Sequence, residues 1–167
     1  YLNDALKLSQ QTDSYQHLFN SYLDLGETHH VLSNSTESER FFREAIRISE
    51  SRGDTRNKTQ AIVRFSNMLT DNSRFSEADS LIHLISNDEL EQIPFNLEVL
   101  GKNVKIKLLD NRGAVEDALA ISSAAVDEIF RWLQDSADMQ TGHMRMDKEF
   151  SEAFQLHTEL LRKSENY

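Results

Sequence analysis

Apolar residues in this chain recur at intervals of three and four. Leu18, Tyr22 and Leu25, continued by His29, make one stripe; Ile62, Phe65 and Leu69 make another; Leu97, Leu100, Val104 and Leu108 make a third. Such spacing gathers side chains on one face of an α-helix and not on alternate faces of a strand. Helix-end chemistry separates the stripes. Asp13 or Ser14 can cap a helix that runs to about Ser33, where Asn34, Ser35 and Thr36 break it. Thr36 and Glu39 have the spacing of a capping box for a helix to about Arg52, Gly53 fits a left-handed C-cap, and Asp54 or Thr55 restarts the chain. A helix to about Asp71 follows, then a short one from Ser76 to about Ser86, a turn at Asn87 and Asp88, and a helix with Pro94 in or near its first turn. After Gly113 the stripe Val115, Ala118, Ser122, Ala125, Ile129 and Trp132 outruns its predecessors, and Met139 to Arg145 reads as irregular. Tyr1 to about Gln11, with Leu2, Ala5, Leu6 and Leu8 free to pack, reads as the remnant of a preceding helix.

The helices repeat with a step of forty residues. Ala5-Leu6-Lys7-Leu8-Ser9-Gln10 aligns with Ala45-Ile46-Arg47-Ile48-Ser49-Glu50, and the same step carries Ser38 to Ala78 and Ala118, Phe42 to Ile82 and Ser122, and Ala45 to Ile85 and Ala125. The turn Asp71-Asn72-Ser73-Arg74-Phe75 recurs, within one residue, as Asp110-Asn111-Arg112-Gly113-Ala114-Val115. Small residues in register indicate helices that cross closely, with larger side chains filling the space around the crossing. In the third unit Lys102 and Lys105 fall on expected core positions, so a register moved by one is expected there, with Gly101, Val104 and Leu108 inward.

With Phe19 as the first position, Tyr22, Leu25, Gly26 and His29 followed by Ser38, Phe42 and Ala45 make Phe19 to Glu50 resemble a tetratricopeptide repeat, an antiparallel helix pair built to be stacked. Forty residues exceeds the usual length of about thirty-four, as in long-repeat members of that family. Ser66 stands where the pattern has glycine. The resemblance implies an all-α, right-handed superhelix of antiparallel helix pairs, one continuous segment with a remnant helix at 1–13, repeats at 19–58, 59–98 and 99–138, and a longer, incomplete last repeat at 139–167. It also implies that first helices line a concave groove. Carried over position by position, the groove residues are Asn20, Leu23, Glu27 and His30, then Gln60, Val63, Asn67 and Thr70, then Leu100, Asn103 and Lys107, with Arg64 nearby. Asn67, Asn103, Lys107 and Arg64 can meet a peptide backbone or carboxylate. The lysine-rich carboxylate clamp of chaperone-binding members is absent as a set, because Glu27 and His30 stand in its place.

Composition narrows the function. The chain has 167 residues and a formal net charge of −10, which argues against nucleic acid or an anionic membrane surface and leaves basic peptides open. It has no cysteine, hence no disulfide, thiol nucleophile or thiolate metal site. No apolar run is long enough for a transmembrane helix and no signal peptide is evident, so a cytoplasmic location is expected. The chain starts at Tyr1 within a remnant helix and ends at Tyr167 where another is expected, so it reads as a piece of a longer protein.

Candidate chemistry is sparse. His29 and His30 are adjacent, so their side chains point about 100° apart and cannot clasp one metal, and His17, His83, His143 and His157 are scattered. Arg52-Gly53-Asp54 spells an integrin tripeptide but sits at a helix end. Asn34-Ser35-Thr36 and Asn57-Lys58-Thr59 match glycosylation sequons. Most carboxylates, such as Glu37, Glu39, Glu44 and Glu50, fall on solvent-facing positions, and no phosphate loop or nucleophile elbow is present. No enzyme activity, cofactor or metal is expected. Arg131-Trp132-Leu133, Asp147-Lys148, Phe154, Leu156, Leu160 and Leu161 look like the last repeat preceding the caspase-like domain of bacterial CHAT proteins. The expectation is therefore a scaffold for a protein or peptide partner. The alternatives are a regulatory arm for an effector domain of the same protein, such as a protease, kinase or cyclase, and self-association through end repeats.

Overall fold

A computed structural model describes residues 14–138 and 148–165, and their regular structure is helical. In order the helices are α1 (Tyr15–Val31), α2 (Ser35–Arg52), α3 (Thr55–Asp71), α4 (Phe75–Ile82), α5 (Asn87–Glu91), α6 (Phe95–Asn111), α7 (Val115–Asp138) and α8 (Lys148–Ser164). The readings of residues 1–13 as a remnant helix and of Met139 to Arg145 as irregular lie outside the described residues. No described helix is long and apolar enough to cross a membrane.

The forty-residue step governs the backbone. α1, α3 and α6 begin at Tyr15, Thr55 and Phe95, and α2, α4 and α7 begin at Ser35, Phe75 and Val115. Each turn from a first to a second helix is built alike. A residue with positive φ sits at Ser33 (57°), Ser73 (60°) and Gly113 (75°). The next N–H reaches back across it, from Asn34 to the His29 carbonyl (2.8 Å), from Arg74 to Leu69 (2.8 Å) and from Ala114 to Leu109 (3.0 Å). This closure satisfies carbonyls that the helix end leaves unpaired and turns the chain back on itself.

Several helix ends depart from expectation by a residue or two. Asn34 caps α2 by accepting from the Glu37 N–H, so Thr36 lies within the first turn and makes no box with Glu39. Gly53 is left-handed at φ 65°, and the Asp54 carboxylate accepts from the Asn57 N–H at 2.9 Å; Arg52-Gly53-Asp54 is thus the end of one helix and the cap of the next. The expected turn at Asn87 and Asp88 is the start of α5, for which Ser86 and Glu89 form a capping box.

The described chain divides into two compact units between Ile93 and Pro94. In the first, α1 packs on α2, α2 on α3 and α3 on α4, while α1 also touches α3 and α5 touches α3. Ser38 is fully buried, and its hydroxyl donates to the Gly26 carbonyl at 2.8 Å. A Cβ on Gly26 would lie 2.8 Å from the Phe42 ring, so the ring occupies the space that glycine leaves. Phe42 in turn stacks on Phe65 at 5.9 Å. Ala78 and Ala118, the counterparts of Ser38, are also fully buried, in agreement with the expected small-residue register.

In the second unit α6, α7 and α8 pack against one another. Val99, Ile129, Phe150 and Ala153 make one apolar cluster; Ile106, Ala118 and Leu160 make another. α6 starts on the forty-residue step. Gly101, Val104 and Leu108 are buried, but so are Val99, Asn103 and Ile106, because α6 is covered by both α7 and α8. Lys102 escapes the core by pairing with Glu98 at 2.7 Å on its own helix and with Glu128 on α7. Burial alone pulls its ammonium down, yet the two carboxylates outweigh this and hold it above its ordinary value. α8 starts fifty-three residues after α6, off the forty-residue step.

Candidate functional site

The candidate groove residues of the first unit lie on α1 and α3, and a polar seam joins the two helices along their length. At one end Tyr15 donates its hydroxyl proton to Asp54 at 3.0 Å and accepts from the Asn57 amide at 3.2 Å. Burial, with Asp54 beside it, raises the Tyr15 phenol above its ordinary value. The Asn57 amide also reaches Gln16 at 3.4 Å, Gln16 donates to Asn20 at 3.1 Å, and Gln60 donates to Asn57 at 3.3 Å. Mid-seam, Arg64 of α3 pairs with Glu27 of α1. At the far end Asp71 receives both His30 (3.1 Å) and the Asn67 amide (3.2 Å), and Ser35 donates to Asn72 at 3.2 Å.

The structure therefore brings Asn20, Glu27, His30, Gln60, Arg64 and Asn67 onto one strip. Asn20 is exposed and the other five are half-buried. Leu23, Val63 and Thr70 are buried, since α1 and α3 turn those positions into the core, and they have no surface to offer a ligand. In the second unit Leu100 is also buried, and Asn103 is fully so. The Asn103 amide donates to the Glu149 carbonyl at 2.9 Å and to the Glu152 carboxylate at 3.3 Å, and Lys107 pairs with the same Glu152 at 2.7 Å. α8 thus occupies the face of α6 on which ligand contact was expected. Asn103 and Lys107 are helix-packing residues.

Tyr15, Gln16 and Glu152 complete these networks with no sequence signal of their own, and Asp54, Asn57 and Asp71, legible only as a cap, a sequon and a turn residue, join them. The available signal was periodic: the partners Gln16 and Asn57, His30 and Asp71, and Tyr15 and Asn57 are separated by about one repeat, at 41, 41 and 42 residues. The remaining candidates have structural roles. His29 stacks on Phe41 at 5.4 Å, as a packing residue. Asn57 is 6% exposed, which removes one glycosylation sequon from the surface, while Asn34 is exposed. Among the described residues no group of three or more His, Asp or Glu side chains could hold a metal ion.

Among the depressions of the described surface, two adjoin these helices. One, of ≈ 430 Å³, lies over the start of α7, lined by Gly113 to Asp117 and Ser164. The other, of ≈ 410 Å³, adjoins the seam and is lined by Asp24, Glu27, Thr28, Val31 and Leu32. No protein family, curated protein or solved structure matches the chain.

Proposed function

We propose that this chain is an interaction module whose helix pairs are of the tetratricopeptide kind, the building block of a right-handed superhelix, and that it binds a protein or peptide partner along α1 and α3. The observation that carries the reading is the forty-residue recurrence of helix starts, left-handed turn residues and buried small residues. Within the first unit α1, α2, α3 and α4 pack in succession, and the α1–α3 strip is the surface offered to a partner. The α1–α3 strip offers amides and ion pairs already held by one another, so few rotamers are lost when a backbone docks on it. The proposed role is binding and not catalysis.

A random dodecapeptide display library panned on the purified chain tests this. Enriched peptides are expected to bind at micromolar Kd, and Asn20→Ala combined with Gln60→Ala, at surface-accessible positions, to weaken them. Failure to enrich any sequence, or affinities indifferent to substitutions along α1 and α3, refutes the reading.

A further inference from the structure

The first hairpin enters its turn through residues of a different kind from those of the two hairpins that follow. Where α3 and α6 run into their turns through Asp71-Asn72 and Asn111-Arg112, α1 does so through Val31-Leu32. Val31 is 81% exposed and Leu32 is 68% exposed. The turn itself does not need aliphatic residues, since the same backbone forms with polar ones forty residues on. These two side chains line the ≈ 410 Å³ depression together with Asp24, Glu27 and Thr28. Asp24, Thr28 and Val31 fall on one face of α1 at steps of four and three.

The charge at this place is negative. Asp24 is exposed and has no ion-pair or hydrogen-bond partner among the described residues. Glu27 adds a carboxylate shared with Arg64. The depression also lies at the C-terminal end of α1, where the helix dipole favours cations. The whole chain carries −10, which attracts a basic ligand and opposes both an acidic peptide and a second copy of itself.

We infer that the Asp24–Leu32 edge of α1 is a docking point for a partner segment that carries a lysine or arginine next to a bulky aliphatic side chain. The aliphatic group covers Val31 and Leu32 and the cation meets Asp24 at the rim. This rests on the interaction-module reading and names the ligand class for one end of it. The pairing explains why both features occur together: the apolar pair supplies area to bury, and the carboxylate selects sign.

The test uses a fluorescein-labelled octapeptide of alternating leucine and lysine, with leucine–glutamate and serine–lysine counterparts, followed by anisotropy and by amide shifts of the ¹⁵N-labelled chain. The leucine–lysine probe is expected to bind and to shift amides from Asp24 to Asn34. Val31→Asp with Leu32→Asn, which installs the second hairpin's own residues and so preserves the turn, is expected to weaken it at least tenfold. Asp24→Asn is expected to weaken it about fivefold and to reduce its salt dependence. Equal binding of either counterpart peptide overturns the inference, as does no binding at millimolar peptide. Shifts confined to Asn20, Gln60, Arg64 and Asn67 overturn it too, but leave the interaction-module reading standing. A dimer in sedimentation that Val31→Asp with Leu32→Asn dissolves overturns it in favour of self-association.

Discussion

Gly26 and Phe42 form a matched pair, and the repeat allows the match to be exchanged. At the first position the three hairpins carry Gly26, Ser66 and Ile106; at the second they carry Phe42, Ile82 and Ser122. All six are buried, and as one side grows the other shrinks. Gly26→Ser gains about 0.5 kcal/mol of helix propensity. It also drives a Cβ to 2.8 Å from the Phe42 ring, which is 1% exposed and stacked on Phe65, so the ring has nowhere to retreat. Overpacking of this kind costs about 1–3 kcal/mol, so a net loss of about 1–2 kcal/mol is expected. Phe42→Ile alone leaves a void and costs about 2 kcal/mol. The double variant reproduces the second hairpin's Ser66 and Ile82 and is expected to recover about 1 kcal/mol relative to the sum of the singles, a coupling typical of touching residues. Urea unfolding followed by circular dichroism measures all four corners of the cycle. Additivity to within about 0.3 kcal/mol, or a stabilised Gly26→Ser, would refute the volume exchange.

Other expectations follow from the turns and charges. Ser33→Gly should raise stability by about 0.5–1 kcal/mol in thermal melts, because Ser33 holds φ at 57° where the third hairpin has Gly113. Conversely, Gly53→Ala should lower it by about 1 kcal/mol; space is free around Gly53, so the loss is backbone strain alone. The Glu39 carboxyl is held below its ordinary value by hydrogen bonds from Arg74 and then Arg43, against the opposing effect of burial. A depressed carboxyl contributes stability that is complete above its unfolded pKa and lost as pH falls through the folded one. Glu39→Gln should therefore lower stability at neutral pH and flatten the acid limb of stability against pH, as urea titrations from pH 7 to 3 would show. Lys102 is raised, so its contribution persists below the unfolded lysine value and fades only as pH climbs through the folded one. Lys102→Met should leave Glu98 and Glu128 unopposed and lower the Tm at neutral pH, as thermal melts would show.

What could be read from the sequence was whatever depends on size and period. Ser38, Ala78 and Ala118 were legible because a close crossing admits only small side chains, and a fixed repeat length returns the crossing to the same phase. Gly53 and Asp54 were legible because left-handed φ and N-capping each favour few residue types. The capping-box spacing of Thr36 and Glu39 lies two residues past the true cap, Asn34, because Asn, Ser and Thr in succession can each cap and only the backbone decides among them. Asn87 and Asp88 look like a turn in the sequence because the residues that open a short helix are also those that make turns. Asn103 and Lys107 went to the wrong environment for a longer-range reason. Their partners Glu149 and Glu152 sit on α8, which begins off the forty-residue step, so periodicity could not bring them into view.

Trp132 is the sole indole of the chain. It stacks on Phe95 at 5.5 Å and meets the edge of Phe150 at 5.4 Å, tying the start of α6 and the start of α8 to α7. Its emission is thus a private gauge of the C-terminal unit, whereas Tyr15 and Tyr22 sit in the N-terminal one. Melting watched through indole fluorescence and through total ellipticity will coincide only when both units come apart together, so a wild-type optical trace already carries the answer to whether the halves share one cooperative transition.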